Sequence, residues 1–157
     1  MTQFAPQSGT ADAGTPFREK TAWIAVVAMV VAYGPYFIAA SMVEQRGEPH
    51  DTLTLVALFA IATAIRLLIL AVGTIVIRAR SGADARLPPD ERDRAIAARS
   101  AATAYYALMA GMILVGIIMP FEAQGQAITN TALFALVTAE ILRYGAAIFA
   151  YRRGRHG

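Results

Sequence analysis

Four long apolar stretches constrain this sequence more than any other feature. They cover about residues 21–43, 52–77, 101–119 and 127–151. A helix needs ~20 mainly apolar residues to cross a bilayer, so each stretch is long enough for one span. Of the 157 residues, 57% are hydrophobic and 16% are charged, which is too little charge for the surface of an ordinary soluble domain. The sequence therefore predicts an all-α, four-helix transmembrane bundle over residues 17–157, preceded by a disordered tail over residues 1–16.

The distribution of basic residues predicts how this bundle crosses the membrane. Eleven of the 14 Lys and Arg residues lie before the first span, between the second and third spans, or after the fourth. Arg46 alone lies in the opposite loops. Because cytoplasmic loops retain positive charge, both termini are expected in the cytoplasm, with the bundle in the plasma (inner) membrane of the cell. The C-terminal segment "RRGRHG" fits contact with anionic lipid better than specific nucleic-acid binding.

Three ionisable side chains are predicted inside the spans, namely Arg66, Glu140 and Arg143. A charge at the bilayer centre costs ~2.5–3.5 kcal/mol, so such a group usually has a partner. Arg66 follows Thr52 by 14 residues and Glu140 follows Ala127 by 13, which places them at similar depth. We therefore expect an Arg66–Glu140 ion pair, within one chain or across a homodimer. Arg143 could share the carboxylate or extend toward the cytoplasm.

This polar cluster allows two interpretations. It could be a structural ion pair that fixes the packing of two helices. Alternatively it could line a pathway or a ligand pocket, and two arginines against one glutamate would then favour an anionic ligand. The sequence does not decide between them.

Other features of the spans concern packing. Pro35 interrupts the first span and predicts a kink, with Tyr33 or Tyr36 placing a hydroxyl inside the bundle. At an offset of 75 residues, the second and fourth spans match at 11 of 29 positions, which fits either a duplicated hairpin or chance similarity. Mostly small residues recur every four positions along the last two spans and predict close helix contact: Thr103, Ala107 and Gly111 in the third span, and Ala135, Ala139, Arg143 and Ala147 in the fourth.

The third helix has a charged start, directly after Pro88 and Pro89. A helix from Asp90 to Met119 would be ~45 Å long, so its first turns should protrude beyond a ~30 Å hydrocarbon core. Arg94 is spaced for ion pairs with Asp90 and Glu91. The segment could be only a well-capped, solvated helix start. It could also be a docking surface for a cytoplasmic partner, formed by Asp90, Glu91, Arg92, Asp93, Arg94 and Arg99.

The segment "DERDRAIAARSAATAYYALMAG" resembles the signature of a family of small four-helix bacterial and archaeal membrane proteins of unknown function. The resemblance is best over about residues 88–120. It implies a role in membrane signalling or in restraining a cytoplasmic regulator, and it implies no catalytic residues. The matching residues are Asp90, Glu91, Arg92, Asp93, Ile96, Tyr105, Tyr106 and Gly111.

The residue inventory narrows the function classes. The chain has no cysteine, which excludes disulfides, thiol chemistry and cysteine-ligated metal. Its two histidines, His50 and His156, lie outside the spans, so no metal site and no cofactor are expected in the membrane. We expect a non-catalytic membrane protein that binds a partner through the start of the third helix. The alternative is a small proton- or anion-linked transporter using the Arg66, Glu140 and Arg143 cluster.

Overall fold

Four α-helices make up most of the chain in the computed structural model, which describes residues 17–46, 52–81, 89–123 and 125–153. All four are long and apolar enough to cross a membrane, which confirms the predicted all-α class with four helices of spanning length. The predicted tail over residues 1–16, with Arg86, Pro88 and Arg155, lies outside the described residues. The helices are α1 (Phe17–Arg46), α2 (Thr52–Arg80), α3 (Glu91–Ile113) and α4 (Gly125–Arg153).

The two central helices of the bundle are α1 and α4. Helix α1 packs against α2 and α4, while α3 packs against α4. A duplicated hairpin would add a contact between α2 and α3 to match the one between α1 and α4. The described residues show no comparable contact there, so the packing does not reflect the sequence repeat. Most of the surface of α2 and α3 is therefore left outside the bundle.

Neighbouring helices run antiparallel, and most basic residues gather at one end. Arg18 at the start of α1 contacts Asp93 at the start of α3, and Arg152 at the finish of α4 contacts Glu19. We call this the basic end. Of the described residues it carries Arg18, Lys20, Arg78, Arg80, Arg92, Arg94, Arg99, Arg152 and Arg153.

An aromatic cluster fills the bundle between α1, α2 and α4. Tyr33 stacks on Phe59 with 5.0 Å between ring centroids, and Tyr36 meets the edge of the same ring at 5.3 Å. The two tyrosine hydroxyls lie in hydrogen-bonding distance of Thr63, at 3.2 Å, and of Asn130, at 3.4 Å. The tyrosine hydroxyls thus have hydrogen-bond partners inside the bundle, as buried polar groups require. Helix α1 continues through Pro35, where the sequence predicts a kink.

Close helix contact occurs where the small-residue pattern predicted it. A methyl group added at Gly111 of α3 would lie 2.5 Å from Ala135 Cβ of α4. One added at Gly73 of α2 would lie 2.8 Å from a side-chain methyl of Ile24 in α1. At Gly111 the neighbour is a short Ala side chain next to its backbone, so this glycine limits the distance between α3 and α4, whereas the Ile24 side chain beside Gly73 can shift.

The end of α3 departs from the predicted regular helix to Met119. Residues Leu114–Ile118 form a π-helical turn and Met119–Phe121 a 3₁₀ turn. Pro120 has no backbone N–H, and in a regular α-helix its ring would clash with the carbonyl of Gly116, one turn earlier. The chain widens instead, and the Met119 N–H donates to the Leu114 carbonyl.

Candidate functional site

The predicted contact between Arg66 and Glu140 is present within one chain. Arg66 Nη2 donates to Glu140 Oε2 at 3.1 Å. Arg143 lies one turn further along α4, and its Nη1 is 3.7 Å from the other carboxylate oxygen. The Arg66 side chain is 16% exposed and that of Arg143 is 47% exposed. Arg66 is therefore the close partner of Glu140, whereas Arg143 makes a longer contact and keeps part of its surface free.

The surroundings of Arg66 explain how a guanidinium fits inside the bundle. Ala62, one turn earlier on the same face of α2, is buried and leaves space for the neighbouring helix. Arg66 Nε is buried and has no hydrogen-bond partner among the described residues. A buried donor without a partner is costly. The Arg66–Glu140 contact therefore satisfies only part of the guanidinium.

Asp93 forms a second polar network at the basic end. Its carboxylate lies 2.8 Å from Arg18 Nε of α1, and it accepts a hydrogen bond from the Tyr151 hydroxyl of α4 at 3.0 Å. It also accepts from the Asp90 backbone N–H, while Asp90 accepts from the Asp93 backbone N–H, which completes a capping box. Asp93 therefore joins three helices.

This network corrects one prediction about the start of α3. Between the described side chains, Arg94 makes no ion pair with Asp90 or Glu91, because Asp90 caps the helix and Asp93 is the paired acid. The first turns of α3 pack against the bundle, since Ile96 and Ser100 are buried. Their protrusion beyond the hydrocarbon core stays a prediction. One face of the segment is packed, and only the rest is available to a partner.

The six candidate docking residues therefore divide by face. Asp93 points into the bundle, and the side chains of the other five are exposed. At 3.6 residues per turn, Arg92 and Arg99 share one face of α3. Glu91 and Arg94 share another, which points away from the packed side. Asp90 is exposed beside it at the helix cap.

A cavity of about 250 Å³ lies between α1, α3 and α4. Arg18, Asp93 and Tyr151 line it near the basic end, and Arg143 and Tyr144 line it deeper in the bundle. Drug-sized ligands occupy pockets of ~300–1,000 Å³, so this space suits a small solute. Arg143 thus stands between the Glu140 carboxylate and a cavity that can receive a ligand.

A second ion pair at the basic end was not predicted from the sequence. Glu19 is 1% exposed, and the Nε of Arg152 lies 3.4 Å from its Oε1. The Arg152 guanidinium also lies over the ring of Trp23, 5.3 Å from its centroid. A signal was available, because an acidic residue in the first turn of a helix is stabilised by the helix dipole. Its burial depends on α4, which the sequence of α1 does not reveal.

No group of three side chains able to hold a metal ion occurs within the described residues. Comparison with known proteins adds no further assignment. No protein-family model, curated protein or solved structure matches the chain. The resemblance of the third helix to a family of small four-helix membrane proteins therefore stays a prediction.

Proposed function

We propose that this is a bacterial inner-membrane protein with the basic end in the cytoplasm, and that its cavity binds a small anion as part of a transport function. The proposal gives more weight to the polar cluster than to the docking segment. The observation that carries it is the position of Arg143. This guanidinium lines the cavity, is half exposed, and lies 3.7 Å from a carboxylate that Arg66 already pairs at 3.1 Å.

The charge count supports an anionic ligand. Arg66, Arg143 and Glu140 carry one net positive charge, while Arg18 and Asp93 at the mouth compensate each other. A net charge within a low-dielectric bundle attracts a counter-ion. The half-exposed Arg143 is the group best placed to supply hydrogen bonds to it. The size of the cavity favours a monovalent carboxylate or an inorganic anion over a large drug.

Anion binding and flux in the full-length protein test this proposal. Thermal stability in detergent would be measured against chloride, acetate and inorganic phosphate, followed by uptake of the stabilising anion into proteoliposomes. Arg143→Gln should weaken the apparent affinity at least about tenfold, since a hydrogen bond to a charged group contributes ~1.5–3 kcal/mol. Arg78→Gln is the matched control, because Arg78 is an exposed arginine of the basic end that does not line the cavity. The proposal fails if no anion stabilises the wild type, or if both variants behave alike.

A second proposal is a regulatory role through the start of α3. The favouring observation is that Asp93 anchors this segment while Glu91 and Arg94 remain exposed on the face that points away from the bundle. A fixed, charged helix face suits recognition of a cytoplasmic regulator, which is also what the family resemblance implies. The chain would then act without catalysis.

A binding assay with the full-length protein in nanodiscs tests this second role. The candidate partners are the purified cytoplasmic proteins encoded by the genes on either side of its own, tested one at a time. The charge-reversed pair Glu91→Arg with Arg94→Glu should abolish binding, whereas Lys20→Gln, elsewhere on the basic end, should not. Equal binding by the reversed pair and the wild type would exclude this face as the docking site.

A further inference from the structure

A groove with three arginines lies between α3 and α4 at the basic end, separate from the Arg143 cavity. Its volume is about 460 Å³. Arg92 and Arg99 of α3 and Arg153 of α4 line it, with Ile96 and Phe149 as its apolar wall. Arg92 and Arg99 are seven residues apart, which is close to two full turns, so both side chains lie along the same face.

The charge of these three arginines is not compensated within the described part of the protein. Arg92, Arg99 and Arg153 are exposed, and none makes an ion pair with a described carboxylate. Four other arginines do contact one, namely Arg18, Arg66, Arg143 and Arg152. The groove thus concentrates three positive charges, and none of the described residues that line it is acidic. Arginine is the residue best suited to phosphate.

The surface beyond the groove is apolar, which favours a lipid over a free anion. On α3 the face of Arg92 and Arg99 continues at the same seven-residue spacing to Tyr106 and Ile113, which are 70% and 48% exposed. On α4, Phe149 is 65% exposed, and Leu142, seven residues earlier, is 42% exposed. A headgroup at the arginines would therefore have its acyl chains against apolar side chains.

The spacing of the arginines bears on the headgroup. Arg92 and Arg99 are separated by about 10 Å along the helix axis, at ~1.5 Å per residue. A single phosphate meets both only if the two side chains bend toward each other. In a headgroup with two phosphates, one phosphate can contact Arg92 and the other Arg99. Arg153 can then bind either phosphate.

We propose that the groove formed by Arg92, Arg99 and Arg153 binds an anionic phospholipid and prefers one with two phosphates, such as cardiolipin. Basic pockets between transmembrane helices are suited to such headgroups. In this proposal Arg92 and Arg99 contact lipid. Glu91 and Arg94 form the exposed face of α3 that remains for a protein partner. The lipid site does not depend on anion transport or on a protein partner. Any one of these three proposals can fail without affecting the other two.

Lipid binding to the full-length protein tests the site. Protein in nanodiscs of phosphatidylcholine, phosphatidylglycerol or cardiolipin, the latter two matched for total negative charge, would be compared for thermal stability. Bound lipid would be counted by native mass spectrometry. Cardiolipin should stabilise the protein most. Replacing Arg92, Arg99 and Arg153 together by Gln should remove this preference, and single Arg99→Gln should weaken cardiolipin binding about fivefold.

A second triple variant supplies the matched control. Lys20, Arg78 and Arg80 are also exposed at the basic end and lie outside the groove, so their replacement by Gln removes the same charge. This control should keep the cardiolipin preference. An equal loss in both triple variants would show only general attraction to an anionic surface and overturn the proposal. Saturation of the site by inorganic phosphate at the same affinity would assign it to a free anion. If the groove triple does not fold, the single Arg99→Gln variant decides.

Discussion

Arg66 of α2 and Glu140 of α4 meet at 3.1 Å although α2 packs mainly against α1. The pair joins two helices that share little other surface, and it lies beside the aromatic cluster that fills the bundle. The Arg66 and Glu140 side chains are 16% and 33% exposed, so most of each side chain is enclosed by the protein. The ion pair is therefore expected to fix α2 in the bundle, whether or not an anion also binds nearby.

A double-mutant cycle would measure this contribution. Arg66→Gln and Glu140→Gln should each lower thermal stability in detergent, because each leaves the opposite charge in the bundle interior. The double variant should lose less than the sum of the two, with a coupling energy of about 1–3 kcal/mol. Strictly additive effects would show that the two side chains do not depend on each other.

Arg143 serves as the control for the same cycle. It contacts the same carboxylate at 3.7 Å and is more exposed than Arg66. Arg143→Gln should therefore change stability less than Arg66→Gln while changing anion binding more. The opposite ranking would mean that Arg143, not Arg66, is the structural partner.

The contact between Gly111 and Ala135 predicts a steric effect at the α3–α4 interface. Gly111→Ala would place a methyl group 2.5 Å from Ala135 Cβ, so the helices must separate, at a cost of about 1–3 kcal/mol. Gly145→Ala on α4 meets nothing within 4 Å and should not destabilise the protein. Thermal unfolding in detergent measures both.

A compensating variant makes this test specific. Adding Ala135→Gly to Gly111→Ala removes the methyl group that is in the way, so most of the lost stability should return. If Gly111→Ala alone is harmless, the two helices do not approach as closely as described.

Asp93 should determine how firmly the start of α3 is held. Asp93→Ala removes the contacts with Arg18 and Tyr151 and one half of the capping box. Asp90 keeps its N-cap hydrogen bond from the residue-93 backbone N–H, so the loss comes from the reciprocal bond of the capping box and from the contacts with α1 and α4. Hydrogen exchange of the first turns of α3 should therefore accelerate, with a smaller acceleration in Tyr151→Phe. Glu91→Gln, on the exposed face, should leave the exchange unchanged, and equal rates in all variants would remove Asp93 from this role.

Much of the architecture follows from one-dimensional properties of the chain. Hydropathy and length predict four spans, because a bilayer of fixed thickness requires a helix of fixed length. Depth along parallel helices was enough to predict that Arg66 meets Glu140, since both lie at a similar distance from the starts of α2 and α4. The small-residue spacing indicated where α3 and α4 would approach.

The contacts of the basic end could not be predicted in the same way. Asp93 and Glu91 have the same charge in the same helical turn, and only the positions of α1 and α4 decide that Asp93 is paired while Glu91 is exposed. The burial of Glu19 likewise depends on Arg152, far away in the sequence. Such contacts depend on which helices are neighbours, and hydropathy does not carry that information.

The orientation of the bundle gives the last prediction, and the absence of cysteine makes its test direct. Ser81 follows α2 at the basic end, and Glu122 is exposed near the opposite end, after the 3₁₀ turn. If positive charge keeps the basic end in the cytoplasm, Glu122→Cys should react with a membrane-impermeant maleimide in intact spheroplasts. Ser81→Cys should react only after the membrane is opened. Labelling of Ser81→Cys in intact spheroplasts would show the opposite orientation. The groove of Arg92, Arg99 and Arg153 would then lie at the outer surface.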